Sequence, residues 1–211
     1  MKIQLVNQAG IADNDFHTLV TASDYFAGLV TKAWNAPAVT VTSEPGDWVI
    51  YVTDSNRVLG AAGYHKVVAG KPTGYVSPKG SGSSMFGTYY PAKYLKSIKK
   101  TIAERYVSGL ITVVCHELAE MICDPLIATY SSKDALGREW LIEVGDHAFG
   151  GFFNKTFFGK LCVFPDITIP AFYDLKGKAP FSLANLIKAP FTMSAKGYAY
   201  YKDANGKLVK I

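Results

Sequence analysis

Between Tyr106 and Cys123 the chain is apolar on nearly every side of a helix, yet it gathers its acids and a histidine on one stripe. Val107, Leu110, Ile111, Val113, Val114, Leu118, Met121 and Ile122 cover most directions around the axis, which places such a helix in the middle of a core. Pro125 stops it, because proline disfavours helical geometry in the residue before it. At about 100° per residue, with His116 at zero, Glu120, Asp124 and Glu117 sit near 40°, 80° and 100°. Thr112 and Ser108 extend the stripe towards the N-terminus.

A solvent-facing stripe is the plain alternative, but a solvated face usually mixes signs, with Lys or Arg one turn from Glu. This one has none, and its carboxylates repel one another at i,i+3 and i,i+4. A bound divalent cation reverses the sign of that term. His116 and Glu120 stand one turn apart, roughly 6 Å, and converge on one ion, while Glu117 is turned aside to hold a water. The geometry is that of H-E-x-x-H on a zinc-protease helix, with Glu in place of the second His. The spacing predicts one mononuclear site.

Such a site needs a third protein ligand and an open position. Glu143-Val144-Gly145-Asp146 is the best source, since Glu143 ends an apolar run, Trp140-Leu141-Ile142, where a lone carboxylate is costly. Either Glu143 or Asp146 supplies the ligand, or Asp146 orients His116 through its second ring nitrogen. His147 reads as a bystander on an exposed turn, and His65 as a hydrogen-bonded core histidine. Asp124, about 12 Å along the axis from His116, suits capping better than ligation.

Around that helix the pattern reads as α+β. Ile3 and Leu5 mark a first strand, and Asn14 or Asp15 is positioned to cap a helix running to about Trp34. Val39 to Thr42, Trp48 to Thr53 and Leu59 to Val68 are strand candidates. Gly74 to Ser77, between Pro72 and Pro78, reads as an edge strand. Residues 79–91 are Gly- and Ser-rich and read as a loop. Lys93, Lys96, Lys99 and Lys100 then read as a solvated helix face. Beyond Pro125 come Glu139 to Val144, an aromatic stretch at Phe152 to Phe158, Leu161 to Phe164, and a terminal hairpin around Asn205-Gly206. The whole reads as a single domain over 1–211. Residues 1–125 give the sheet and the metal helix, and 126–211 form a C-terminal part supplying the third ligand.

With 49% hydrophobic and 18% charged residues, the 211-residue chain has the means to bury a core and is not a disordered one. A net charge of +5 without a recognisable motif argues against nucleic-acid binding. The N-terminus lacks a signal-peptide h-region, and no stretch approaches the roughly 18 apolar residues of a membrane span. A soluble protein made in a cytoplasm, with virion association in the host cell as an option, is expected. Cys115 and Cys123, about 12 Å apart along one helix, cannot form a disulfide. With Cys162 they are expected as reduced, buried thiols.

The string HELAEMICDP followed by EVGD resembles a family of uncharacterised zincin-like metalloproteins, many encoded in bacteriophage genomes, with the pattern H-E-L-x-E, a D-P pair, then E-x-x-D. The likeness extends upstream to Gly63-Tyr64-His65 and KPTGYV. Downstream it takes in Pro170-Ala171-Phe172-Tyr173, Pro190-Phe191 and Gly197-Tyr198, so it spans roughly residues 59–200. It implies a zincin-like fold: a twisted mixed sheet with an edge strand, backing helices and a long buried metal-binding helix. The residues carried over are His116, Glu117, Glu120, Glu143 and Asp146. The chain departs from the pattern in having His147, and no cysteine, just after E-x-x-D.

Two functions follow from this reading. The first is a zinc-dependent metallohydrolase, a peptidase, in which the ion lowers the pKa of its water and Glu117 is the general base. Strand Gly74–Ser77 would hold the peptide, and Tyr89 or Tyr90 would serve the oxyanion. A carboxylate in place of an imidazole weakens water activation and shifts preference towards Ca²⁺ or Mn²⁺. The second is a non-catalytic virion protein that keeps the fold, with or without metal, and contacts other phage proteins. Neither involves a membrane.

Overall fold

The computed structural model describes residues 1–55, 61–78, 102–203 and 205–211, with side chains throughout except at 102–108. The segment 79–91, the lysines at 93–100, and Tyr89 and Tyr90 lie outside the described residues. The described chain is mixed α and β. β1 (Lys2–Asn7) leads into α1 (Asp13–Trp34), then β2 (Thr40–Thr42), β3 (Trp48–Val52), β4 (Gly63–Val68) and β5 (Lys71–Val76). α2 (Ile102–Cys123) follows, then β6 (Tyr130–Lys133), β7 (Glu139–Leu141) and the short α3 (Val144–His147). β8 (Phe152–Phe157), β9 (Lys160–Pro165), a 3-10 turn (Pro170–Tyr173), β10 (Tyr200–Lys202) and β11 (Leu208–Lys210) complete the order.

The larger sheet runs β2-β1-β3-β5-β4. Its first four strands are parallel, and β4 is antiparallel to β5. Among the described residues the edges are therefore β2 and β4. The strand expected there, β5, is an inner one paired on both sides. Its prolines misled because the ladder with β3 spans only Val49↔Thr73 to Val52↔Val76. Pro72 and Pro78 both fall outside that ladder and remove no donor from it. Ala69 and Gly70, both with positive φ (49° and 77°), form the two-residue turn that folds β4 back on β5.

α1 packs along β2, and α2 packs against α1, β4, β5 and β9. Ile3, Leu5, Ile50 and Val76 from the sheet, and Phe26, Ala27 and Val30 from α1, are fully buried. Phe26 stacks on Phe164 of β9 with ring centroids 5.6 Å apart, carrying the core into the C-terminal part. α1 begins at Asp13, one residue ahead of the expected caps. Its N-cap is Ala12, and no side chain caps it. Asp13 and Asp15 instead lie in the first turn, where carboxylates meet the positive end of the helix dipole.

The C-terminal strands form a four-stranded antiparallel sheet, β11-β10-β7-β6, and a separate β8-β9 hairpin. The β10-β11 hairpin turns at Asn205-Gly206 as read from the sequence, with the Asp203 carboxylate accepting the backbone N–H of Asn205 and of Lys207. All three cysteines are free thiols. No described helix is long and apolar enough to cross a membrane.

Candidate metal centre

The polar stripe of α2 looks into the protein. Glu117 and Glu120 are 5% and 4% exposed, Asp124 is 1% exposed, and only His116 and Cys123 keep partial access between Leu110 and Asp124. A solvated face is thus excluded, and each of these charges needs a partner.

Two elements answer the stripe. After β7 the chain turns at Glu143 into α3, a single helical turn that lays Gly145 against the His116 ring and directs Asp146 inwards. His116 Nε2 stands 3.2 Å from Glu120 Oε1 and 3.2 Å from Asp146 Oδ1. Both carboxylates meet the same ring nitrogen, so Asp146 stands with Glu120 and does not orient His116 through Nδ1. Donor atoms about 2.1 Å from one ion at a tetrahedral angle lie about 3.4 Å apart, so the trio is spaced as a ligand set. Glu120 Oε1 is buried and receives no hydrogen bond among the described residues, although His116 is within ion-pair range. A buried carboxylate oxygen without a donor is the state a cation would relieve. The residues fit a divalent ion.

From the opposite side β4 brings His65. Its Nδ1 lies 3.4 Å from Glu117 Oε2 and 3.5 Å from Glu120 Oε2. The side chains therefore form two groups able to hold a cation, His116–Glu120–Asp146 and His65–Glu117–Glu120, with Glu120 common to both. His65 was read from the sequence as a core histidine. Its side chain is buried and hydrogen-bonds Glu117, in keeping with that reading, and it also stands within ion-pair range of Glu120. Its place on an edge strand facing the helix is a tertiary fact that local pattern does not carry.

Glu143 belongs to neither group, yet it is buried beside them. Burial first, and then the charges of Glu120 and Asp146, push its carboxyl up to about 10. Burial likewise raises Glu120, an effect that His116 opposes and Asp146 reinforces. For His116 burial works downwards, but Glu120 and Asp146 outweigh it and hold the imidazole well above its usual range. Without an ion the cluster keeps protons, and a divalent ion would displace them.

His147, expected on an exposed turn, is fully buried in α3, with Nδ1 2.8 Å from the Tyr173 hydroxyl and its ring stacked on Phe172. Burial holds it neutral, down to about 4. Asp124 caps the chain that follows α2, accepting the backbone N–H of Ala128 and Thr129 and the Thr129 hydroxyl. Thr112, also on the stripe, donates to the Val163 carbonyl.

The cluster opens on a cavity of about 360 Å³, walled by Ala61 to Gly63, by Thr112, Val113, His116 and Glu117 of α2, and by Gly145, Phe149 and Tyr198. Tyr198, not singled out as a functional residue from sequence, donates its backbone N–H to the Asp146 carbonyl; burial and the Asp146 carboxylate keep its hydroxyl protonated. Lys196 and Lys210 stand at the cavity wall as well. Glu117 presents Oε1 to Gly63, where an added Cβ would approach it to 2.8 Å, while its Oε2 faces His65.

Searched against protein-family models, curated proteins and solved structures, the chain matches none.

Proposed function

We propose that the protein is a metallohydrolase of zincin-like type, a peptidase, with His116, Glu120 and Asp146 holding the ion and Glu117 acting as general base. The observation that carries this reading is the convergence of Glu120 Oε1 and Asp146 Oδ1 on His116 Nε2, each at 3.2 Å, beside an open cavity that Glu117 also lines. A divalent ion there supplies Lewis acidity, polarising a carbonyl and acidifying water. One nitrogen and two oxygens make a donor set that accepts Zn²⁺ and equally suits a harder ion such as Mn²⁺.

The chain's own residues supply the rest. Among the described residues β4 is an edge strand, and its first residue, Gly63, lines the cavity beside Glu117, so an extended peptide adding to that edge would lie near Glu117. Glu117 takes the proton of the attacking water as the carbon–oxygen bond forms. It returns that proton to the leaving amine nitrogen as the carbon–nitrogen bond breaks. Tyr198 supports the Asp146 segment by donating its backbone N–H to the Asp146 carbonyl. Glu143, protonated at neutral pH in the ion-free protein, stands behind Glu120 and Asp146 as a further acid.

The test pairs metal content after purification with turnover on a broad peptide panel for wild type and Glu117→Gln. Stoichiometric metal and cleavage that falls by roughly 10²–10⁴-fold in the variant support the reading. Metal without Glu117-dependent turnover removes the enzyme, and absence of stoichiometric metal removes the site.

A further inference from the structure

We infer that the cluster holds a second divalent cation, seated among His65, Glu117 and Glu120, with Glu120 bridging the two positions through its two carboxylate oxygens. The inference rests on the first position as proposed above and adds to it a site that the H-E-x-x-E spacing does not contain.

The geometry is that of a shared carboxylate. Glu120 Oε1 faces His116 Nε2 at 3.2 Å, and Oε2 faces His65 Nδ1 at 3.5 Å. The third donor on the His65 side is Glu117 Oε2, 3.4 Å from the same nitrogen. A single proton on Nδ1 cannot serve two acceptors well at these lengths, which exceed the 2.7–3.2 Å of ordinary N–H···O bonds. They match the roughly 3.4 Å expected between donor atoms around one ion. The side chains of His65, Glu117 and Glu120 are 5%, 6% and 5% exposed, so water does not compensate the arrangement.

Charge points the same way. Four buried carboxylates, Glu117, Glu120, Glu143 and Asp146, are grouped here with two imidazoles. The three that offer ligand oxygens, Glu117, Glu120 and Asp146, carry three negative charges when ionised beside neutral imidazoles, so one divalent ion leaves negative charge uncompensated. The second position engages only one oxygen of Glu117. Its Oε2 is engaged with the His65 side, while Oε1 stays beside Gly63 at the cavity wall, where a proton is to be received. A carboxylate bridge sets two ions about 3.5–4 Å apart, the separation used by hydrolases that clamp one substrate oxygen between two metals.

The experiment is a Mn²⁺ titration of the full, chelator-stripped chain, reading free Mn²⁺ by electron paramagnetic resonance and the bound ions by their spectrum. Two ions per chain are expected, with the spin–spin coupled signal of a close pair. His65→Ala is expected to bind one ion with an uncoupled spectrum and first-ion affinity within a few-fold of wild type. His65→Gln, which keeps more of the side-chain volume, should do the same, with circular dichroism reporting that each variant is folded. Saturation of the wild type at one ion, uncoupled, overturns the second position and leaves the proposed hydrolase standing. Two ions that persist in both His65 variants overturn it too, because the second ion then lies elsewhere. Failure to bind any Mn²⁺ removes both positions together. Should both variants unfold, the wild-type count and its coupling decide alone.

Discussion

Gly145 is packed so closely against His116 that a methyl added at its Cα would stand 2.5 Å from the imidazole Nδ1 and 2.6 Å from Cε1. No side chain larger than hydrogen fits there unless the ring moves, and the ring is what presents Nε2 to Glu120 and Asp146. α3 thus works as a backstop for the His116 ring, one of the proposed ligands. Gly145→Ala is expected to lower the affinity for the first ion by about 10–100-fold, the usual range when the support behind a metal-binding histidine is disturbed. Competition with a chromophoric chelator measures this. An affinity equal to wild type in a folded variant would show that the ring can relocate without consequence.

Tyr198 gives a second handle on the same ligand set. Its hydroxyl is held protonated by burial and the Asp146 carboxylate, and nothing else about the residue needs to change when that oxygen is removed. Tyr198→Phe keeps the ring that packs on Phe149 and Tyr200. The expected result is an ion affinity lower by about 10-fold, with a melting temperature within a few degrees of wild type. Unchanged affinity in this variant would assign Tyr198 to packing alone.

Much of the centre was legible along the chain because a helix has a fixed period. Once Tyr106–Cys123 is read as helical, the 100° step forces His116, Glu117 and Glu120 onto one stripe, and the apolar residues around them make that stripe costly to leave unpartnered. The segment Glu143–Asp146 was legible for the same energetic reason: it puts acids directly after Trp140-Leu141-Ile142. His65 and Tyr198 were not. Each reaches the cluster from a strand or loop far away in sequence, His65 on the edge strand β4 and Tyr198 just before β10, and neither carries a periodic signal naming its partner. The edge assignment failed on a related point. Pro72 stands within the ladder to β4 but just outside the one to β3, and Pro78 lies beyond both, so neither removes a donor from the β3 side and neither reports an edge there. His147 was misplaced because a histidine beside acids looks solvated until the ring partners Phe172 and Tyr173 are known.

Asp134 predicts how the fold responds to acid, away from the metal centre. Burial alone would raise its carboxyl. The Arg138 backbone N–H and guanidinium, the Trp140 indole and the Leu136 N–H all donate to it, outweigh burial, and hold it below the ordinary carboxylate range. A carboxyl whose folded pKa lies below its unfolded value of about 3.9 contributes stability that is complete above that value. The contribution is lost as pH falls through the folded pKa. Urea midpoints measured from pH 7 to pH 2 should therefore drop for wild type at the acid end, and drop less steeply for Asp134→Asn. Parallel curves for the two proteins would exclude Asp134 as a contributor.

Asp124 separates stability from ion binding on a single helix. It belongs to the same stripe as His116, Glu117 and Glu120, yet its carboxylate is spent on the chain beyond Pro125: Ala128 N–H at 3.1 Å, Thr129 N–H at 3.0 Å and the Thr129 hydroxyl at 2.8 Å. The carboxylate is 1% exposed, whereas Ala128 and Thr129, which donate to it, are exposed and turn to water when the acceptor is removed. What is lost is the net contribution of hydrogen bonds to a charged group, on the order of 1.5–3 kcal/mol. Asp124→Ala should accordingly destabilise the fold by roughly 1–3 kcal/mol. The number of ions bound by the folded fraction should stay as in wild type, because the lost groups hold backbone and face no cation. Chemical denaturation together with equilibrium dialysis checks both halves. A variant that keeps its stability but loses an ion would move Asp124 from the cap to the metal centre.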